Sequence, residues 1–110
     1  RWFTENFVQA HPEVVAELSA NLGSGSAEGY ASCCEALAEA DVREELKAIK
    51  VPVLIIVGAQ DPVTTVADGE FMQQRIANSQ LVSINASHIS NIEQPEAFNQ
   101  AVAQFIKRAS

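Results

Sequence analysis

Two titratable residues each stand just past an apolar stretch. Asp61 lies four residues after Val53-Leu54-Ile55-Ile56-Val57, and His88 lies three residues after the segment Leu81 to Asn85. A carboxylate beside an imidazole accepts the Nδ1 hydrogen, fixes tautomer and ring orientation, and leaves Nε2 free to take a proton from a hydroxyl or thiol. That is the chemistry of nucleophilic catalysis, and it needs a third group. The elbow pattern G-x-S-x-G does not occur: Gly25-Ser26-Ala27-Glu28-Gly29 keeps the outer glycines but carries Ala27 at its centre and follows no strand. No oxyanion-hole loop is recognisable either. Taken singly, Asp61-Pro62 fits an ordinary turn and His88 a structural hydrogen bond. The two gain meaning as a pair, through the elements that place them.

Val53 to Val57 is apolar at every position, as expected of a strand covered on both faces inside a parallel sheet. Gly58 and Asp61-Pro62 end it. Thr65-Val66-Ala67-Asp68 has the form of a capping arrangement, and Val66, Met72 and Ile76 continue at roughly helical intervals to Ala77, before Asn78-Ser79 closes the helix. Leu81 to Asn85 reads as a second short strand. Strand, helix, strand makes a βαβ unit with parallel strands and a right-handed crossover, and ligands of such sheets bind beyond the carboxyl ends of the strands. Asp61 and His88 are therefore expected at one edge of one sheet.

Helices flank this unit. Val14, Val15, Leu18 and Leu22 recur at helical spacing between Pro12 and Gly23. After the joint Gly23-Ser24-Gly25-Ser26, the residues Tyr30, Cys33, Cys34 and Leu37 share one helical face. Asp41 is placed to cap a short helix containing Leu46 and Ile49. From Pro95 onward Ala97, Phe98, Ala101, Val102, Phe105 and Ile106 form an apolar stripe, with Lys107 and Arg108 in the last turn, where cations favour the helix dipole. Two parallel strands do not make an independent sheet, so the sheet should continue into strands that these residues do not supply. The chain opens on Arg1 and holds methionine only at Met72, and the expectation is a piece of a longer translation product.

Fourteen acidic side chains against seven basic ones leave a net charge of −7, which repels phosphate backbones and anionic headgroups, so nucleic acid and membrane surfaces are poor partners. No apolar run approaches the roughly 20 residues that span a bilayer, and no basic, apolar, small-residue succession opens the chain. Cys33 and Cys34 are adjacent, which is unfavourable for ordinary disulfide geometry and too few for structural zinc. Reduced thiols in a cytoplasmic compartment, buried as small hydrophobes on the second helix, are the simplest reading.

Val51-Pro52-Val53-Leu54-Ile55-Ile56-Val57-Gly58-Ala59-Gln60-Asp61-Pro62-Val63-Thr64-Thr65 resembles the stretch that bears the acid in α/β hydrolases. Ala86-Ser87-His88-Ile89-Ser90-Asn91-Ile92-Glu93-Gln94-Pro95-Glu96-Ala97-Phe98 resembles their histidine loop and following helix. Within that family, the Tyr30 to Leu37 segment before Asp41 and the Ser87 to Pro95 run are most similar to 3-oxoadipate enol-lactonases of aromatic catabolism. The resemblance implies the C-terminal part of an α/β-hydrolase fold: two parallel strands with flanking helices, preceded by part of a helical cap. Residues 1–40 would be the end of the cap and 41–110 the end of the core. It also implies ester or lactone hydrolysis without cofactor or metal, with His88 activating a serine and then water and Asp61 stabilising the imidazolium. The serine and oxyanion hole would belong to an upstream half, on the same or a separate chain, and this segment alone would be inactive.

Other residues carry weaker expectations. His11, before Pro12, suits a capping or surface role, and Glu93 suits a structural role holding the histidine loop or the next helix start. Glu13, Glu17, Glu28, Glu35 and Glu39 form a solvated face. Trp2 and Phe3 would line an apolar substrate pocket or pack cap helices, and Arg1 is the candidate partner for the carboxylate of an enol-lactone. Two rivals stand beside the lactonase: another small hydrolase of esters, haloalkanes or carbon–carbon bonds, and a non-catalytic binding protein of the same fold.

Overall fold

Residues 53–58 and 79–84 make the whole of the sheet in the computed structural model, which describes residues 1–110. Strand β1 (Val53–Gly58) pairs in parallel with β2 (Ser79–Ile84), in register from Val53 opposite Ser79 to Gly58 opposite Ile84. The second strand begins two residues earlier than its apolar stretch suggests, because Ser79 and Gln80 lie opposite Val53 and Leu54. It ends one residue sooner: Asn85 leaves the ladder where the amides of Ala59 and Ala86 both turn to the Ile84 carbonyl, each at 2.8 Å. Asp61 thus stands three residues past its strand and His88 four, at the same edge.

Helix α4 (Val66–Arg75) connects the strands and opens on a complete capping box. The Thr65 hydroxyl accepts from the Asp68 amide, and the Asp68 carboxylate accepts from the Thr65 amide. It stops at Arg75, short of the Ala77 expected from periodicity. Ile76 takes extended angles there and turns its side chain into the core, where it is among the most buried residues. Gly69 lets the helix lie close to the strands: a methyl at that position would sit 2.6 Å from Val57 Cγ1 and 3.0 Å from Leu81 Cδ1. After the short helix α5 (Ser90–Glu93), helix α6 (Pro95–Ala109) lies over the other face, where Ala97, Ala101 and Phe105 line with Leu54 and Val82 an open cavity of about 570 Å³.

The N-terminal third is different. Helices α1 (Glu5–Ala10), α2 (Pro12–Gly23) and α3 (Ala27–Glu39) precede the sheet, and every residue from Asn21 to Glu45 is exposed. Cys33 and Cys34 are among them, against the expectation of burial, because Tyr30 (62% exposed) and Leu37 (75%) on the same helix also lack any cover from the rest of the chain. Asp41 caps no α-helix. Its carboxylate accepts the Arg43 amide at 3.1 Å and pairs with the Arg43 guanidinium, and the element that follows is a short 3₁₀ helix (Glu44–Ala48) whose cap position falls on Arg43. With few buried residues and no large side chain entirely enclosed, the radius of gyration is 16.0 Å, against about 13 Å for a compact domain of this length. The apolar faces of β1 and α3 need more cover than these 110 residues provide.

Candidate active site

At the carboxyl end of the sheet, Gly58 makes the crossing of two loops possible. A methyl there would lie 2.0 Å from the Ser87 carbonyl oxygen and 2.7 Å from that of Ala86, so the histidine loop passes directly over the strand end. The Gln60 amide donates to the Ala86 carbonyl at 3.0 Å, and the Gln60 side chain bonds Asn85 at 2.5 Å. Two segments about 25 residues apart are locked together at the strand ends.

Asp61 and His88 meet across this crossing. His88 Nδ1 lies 2.6 Å from Asp61 Oδ2, with the Asp61 side chain 3% exposed and that of His88 50% exposed. The Val63 and Thr64 amides donate to Oδ1 at 2.9 and 3.2 Å, and the Thr64 hydroxyl donates to Oδ2 at 2.6 Å. Burial alone would raise the Asp61 carboxyl; the hydrogen bonds from the Thr64 hydroxyl, the Val63 amide, His88 and the Thr64 amide outweigh it and hold the group at about 2. An ionised carboxylate only accepts, so the hydrogen between the two side chains sits on Nδ1, and in the neutral ring this leaves the lone pair on Nε2. Such an arrangement has the geometry with which an imidazole can serve as a general base oriented by a carboxylate.

The opening residues of the chain complete the rim. Ser87 Oγ donates to the Arg1 carbonyl at 2.6 Å and the Ile89 amide to the Trp2 carbonyl at 2.9 Å, so both neighbours of His88 are strapped to the N-terminus. Glu93 binds the same two segments: its carboxylate accepts the Ser87 amide and the Thr4 amide, each at 3.1 Å, and the Thr4 hydroxyl. Arg1 and Trp2 thereby line, with Asp61, Val63 and His88, an open cavity of about 180 Å³. His11 lies away from it, exposed at the junction of α1 and α2: its amide ends α1 on the Phe7 carbonyl at 2.8 Å, its side chain caps neither helix, and its ring lies 4.8 Å from that of Phe7 with Nδ1 3.5 Å from Glu13.

Sequence reasoning placed the pair and the structural use of Glu93 but missed Thr64 and the strap. The signal for Thr64 was its position three residues after an aspartate in a turn, where both a free amide and a hydroxyl can reach back. Nothing in the sequence marked Thr4 as the partner of Glu93, since they are 89 residues apart. No three His, Cys, Asp or Glu side chains converge as metal ligands would.

Residues 4–95 match the family model described as alpha/beta hydrolase fold. The chain is 63% identical, over 98% of its length, to 3-oxoadipate enol-lactonase 2 of Acinetobacter baylyi, and 50% identical over 97% to 3-oxoadipate enol-lactonase 1 of that organism. It superposes on the crystal structure of the enol-lactonase from Burkholderia xenovorans LB400 with a TM-score of 0.94 at 43% identity, covering 97% of this chain and 41% of that one. A thermophilic esterase from Thermogutta terrifontis gives 0.90 at 32% identity, covering 99% of this chain and 41% of that one. The chain spans 40% of the length of each Acinetobacter relative.

Proposed function

The chain belongs to the α/β-hydrolase fold family, and on that premise we propose that it is the C-terminal part of a serine hydrolase that opens 3-oxoadipate enol-lactone in the cytoplasm. Residues 1–40 end its helical cap and residues 41–110 end its core. Asp61 and His88 are the acid and base of a Ser-Asp-His triad whose serine lies in an N-terminal half beyond this segment. The single observation that carries the reading is the 2.6 Å contact between a buried Asp61 and a half-exposed His88 at the rim of the sheet. The two enol-lactonase relatives at 63% and 50% identity point to the substrate.

His88 Nε2 takes the serine proton as the serine oxygen bonds to the lactone carbonyl carbon. When the ring C–O bond breaks, the departing enol oxygen receives that proton and an acyl-enzyme is left. Water then attacks the acyl carbon, giving one proton to Nε2; the serine oxygen recovers that proton as it leaves, and the product departs as the carboxylic acid, which ionises in solvent. Asp61, already ionised, stabilises the imidazolium formed in each half without being protonated itself. Trp2 offers an apolar wall to the ring, and Arg1 offers a cation to the carboxylate that the lactone carries, in a protein otherwise short of positive charge.

The test uses the longer protein that carries this segment. It is expected to hydrolyse 3-oxoadipate enol-lactone with release of 3-oxoadipate, and the 110-residue segment alone is expected to release none. A longer protein with an intact G-x-S-x-G elbow and no lactone hydrolysis overturns the substrate; one with no nucleophile at that elbow and no ester hydrolysis overturns the enzyme and leaves a binding protein.

A further inference from the structure

Thr64 belongs to no part of the triad, yet its hydroxyl touches both members described here. Oγ1 lies 2.6 Å from Asp61 Oδ2 and 3.1 Å from His88 Nδ1, while Oδ2 and Nδ1 are themselves 2.6 Å apart, so the three atoms form a closed triangle. Three polar atoms at these distances tolerate only certain hydrogen placements. The carboxylate is ionised and accepts along both short sides, so one hydrogen comes from Thr64 and the other from Nδ1. With its only hydrogen committed to Oδ2, Oγ1 turns a lone pair toward Nδ1. The opposite arrangement, hydrogen on Nε2 and a bare Nδ1, sets two lone pairs against each other at 2.6 Å.

We propose that Thr64 is a positioning residue of the dyad: its hydroxyl fills the last acceptor site of Asp61, holding the carboxylate turned toward Nδ1, and serves as second acceptor for the Nδ1 hydrogen. Asp61 then has every acceptor position occupied, two by the amides of Val63 and Thr64 and two by the hydroxyl and the imidazole. The carboxylate cannot rotate without breaking several bonds at once. The same hydroxyl also faces the Nδ1 hydrogen when the ring becomes a cation, so its contribution grows in the charged state that the reaction passes through.

The inference rests on the hydrolase reading for its kinetic arm only. In the longer protein, Thr64→Val keeps the shape and removes the hydroxyl, while Thr64→Ser keeps the hydroxyl and removes a methyl. Thr64→Val is expected to lower kcat about tenfold with KM within about twofold, the size of one hydrogen bond made stronger in the transition state. Thr64→Ser is expected to retain most of the parent rate. Proton spectra of the His88 ring should show a slowly exchanging Nδ1 hydrogen in the parent and in Thr64→Ser, and a faster-exchanging one in Thr64→Val, where the carboxylate is less firmly held. Unchanged spectra and kcat in Thr64→Val overturn the proposal, as does a Thr64→Ser variant as impaired as Thr64→Val, which would make the residue a packing element. The spectra need no turnover, so they decide the role of Thr64 even if the hydrolase reading fails, a failure that His88→Ala turning over like the parent would reveal.

Discussion

The rim that carries Asp61 and His88 and the arm formed by α2 and α3 are built from the same short chain, yet they differ in how much of their structure they supply for themselves. At the rim, residues separated by 24 to 89 positions are bound directly to one another: Thr64 to His88, Asp61 to His88, Ser87 to Arg1, Thr4 to Glu93. In the arm the side-chain hydrogen bonds stay within three residues, as from the Ser24 hydroxyl to the Asn21 carbonyl and from the Gly29 amide to Ser26 Oγ. Polar networks close over short distances once two loops cross, so the hydrogen-bonded geometry of the rim is self-contained. Apolar helical faces gain stability only from burial against another surface. The arm presents Tyr30 and Leu37 and receives no cover.

The sharpest way to break this contrast is at the acid. Asp61→Asn keeps the size of the side chain but loses the charge, and an amide can turn its NH₂ toward Nδ1 and favour the wrong tautomer. In the longer protein kcat for lactone hydrolysis is expected to fall on the order of 10⁴-fold, the loss seen for the same exchange in serine proteases. Stopped-flow or steady-state lactone assays measure it, and near-parental turnover would mean that the rim is a structural clasp and not a catalytic one.

A smaller effect is expected one layer below, at Gly58. Gly58→Ala places a methyl 2.0 Å from the Ser87 carbonyl oxygen, which belongs to the backbone and has no rotamer to escape into. The loop must lift, which strains the bonds from Ser87 to Arg1 and to Glu93 and moves His88 with them. Denaturant unfolding of the longer protein should show a loss of about 3 kcal/mol, the upper end of the usual overpacking cost. Gly29→Ala in the arm is the matched control, since the added methyl meets only ordinary contacts at 3.5 Å, and there alanine should be neutral or slightly stabilising in a helix. Equal losses at both positions would erase the distinction between the two regions.

How much of this was legible in the sequence follows the same division. The pairing of Asp61 with His88 came from strand order and from counting residues past each strand, because a parallel βαβ unit leaves few places for loop ends to go. The capping box at Thr65 and Asp68 and the closing helix from Pro95 were legible because their determinants are local. The strap from Arg1 to Thr4 was not, since its bonds run mainly through backbone carbonyls and amides that carry no residue signature. Asp41 misled in part: it accepts the Arg43 amide as a cap does, but the 3₁₀ helix there begins only at Glu44. Cys33 and Cys34 misled for a different reason. Periodicity reports which face of a helix is apolar, and says nothing about whether the surface that covers it is present.

That last point can be tested by sign as well as size. Leu37 is 75% exposed in these 110 residues. If solvent is its permanent environment, Leu37→Ala should leave stability unchanged or raise it slightly, since alanine is the better helix former. If the face of α3 is covered by the rest of a longer hydrolase, the same substitution removes buried methyl groups and should cost about 2 kcal/mol. The second outcome is expected, because α3 spaces Tyr30, Cys33, Cys34 and Leu37 as a helix with one buried side does, while its other positions carry Glu28, Glu35 and Glu39. Equilibrium unfolding of the parent and of Leu37→Ala in the longer protein decides between them. A loss would show that the arm, like the sheet edge, takes its stability from beyond the segment, while the rim holds its geometry from within.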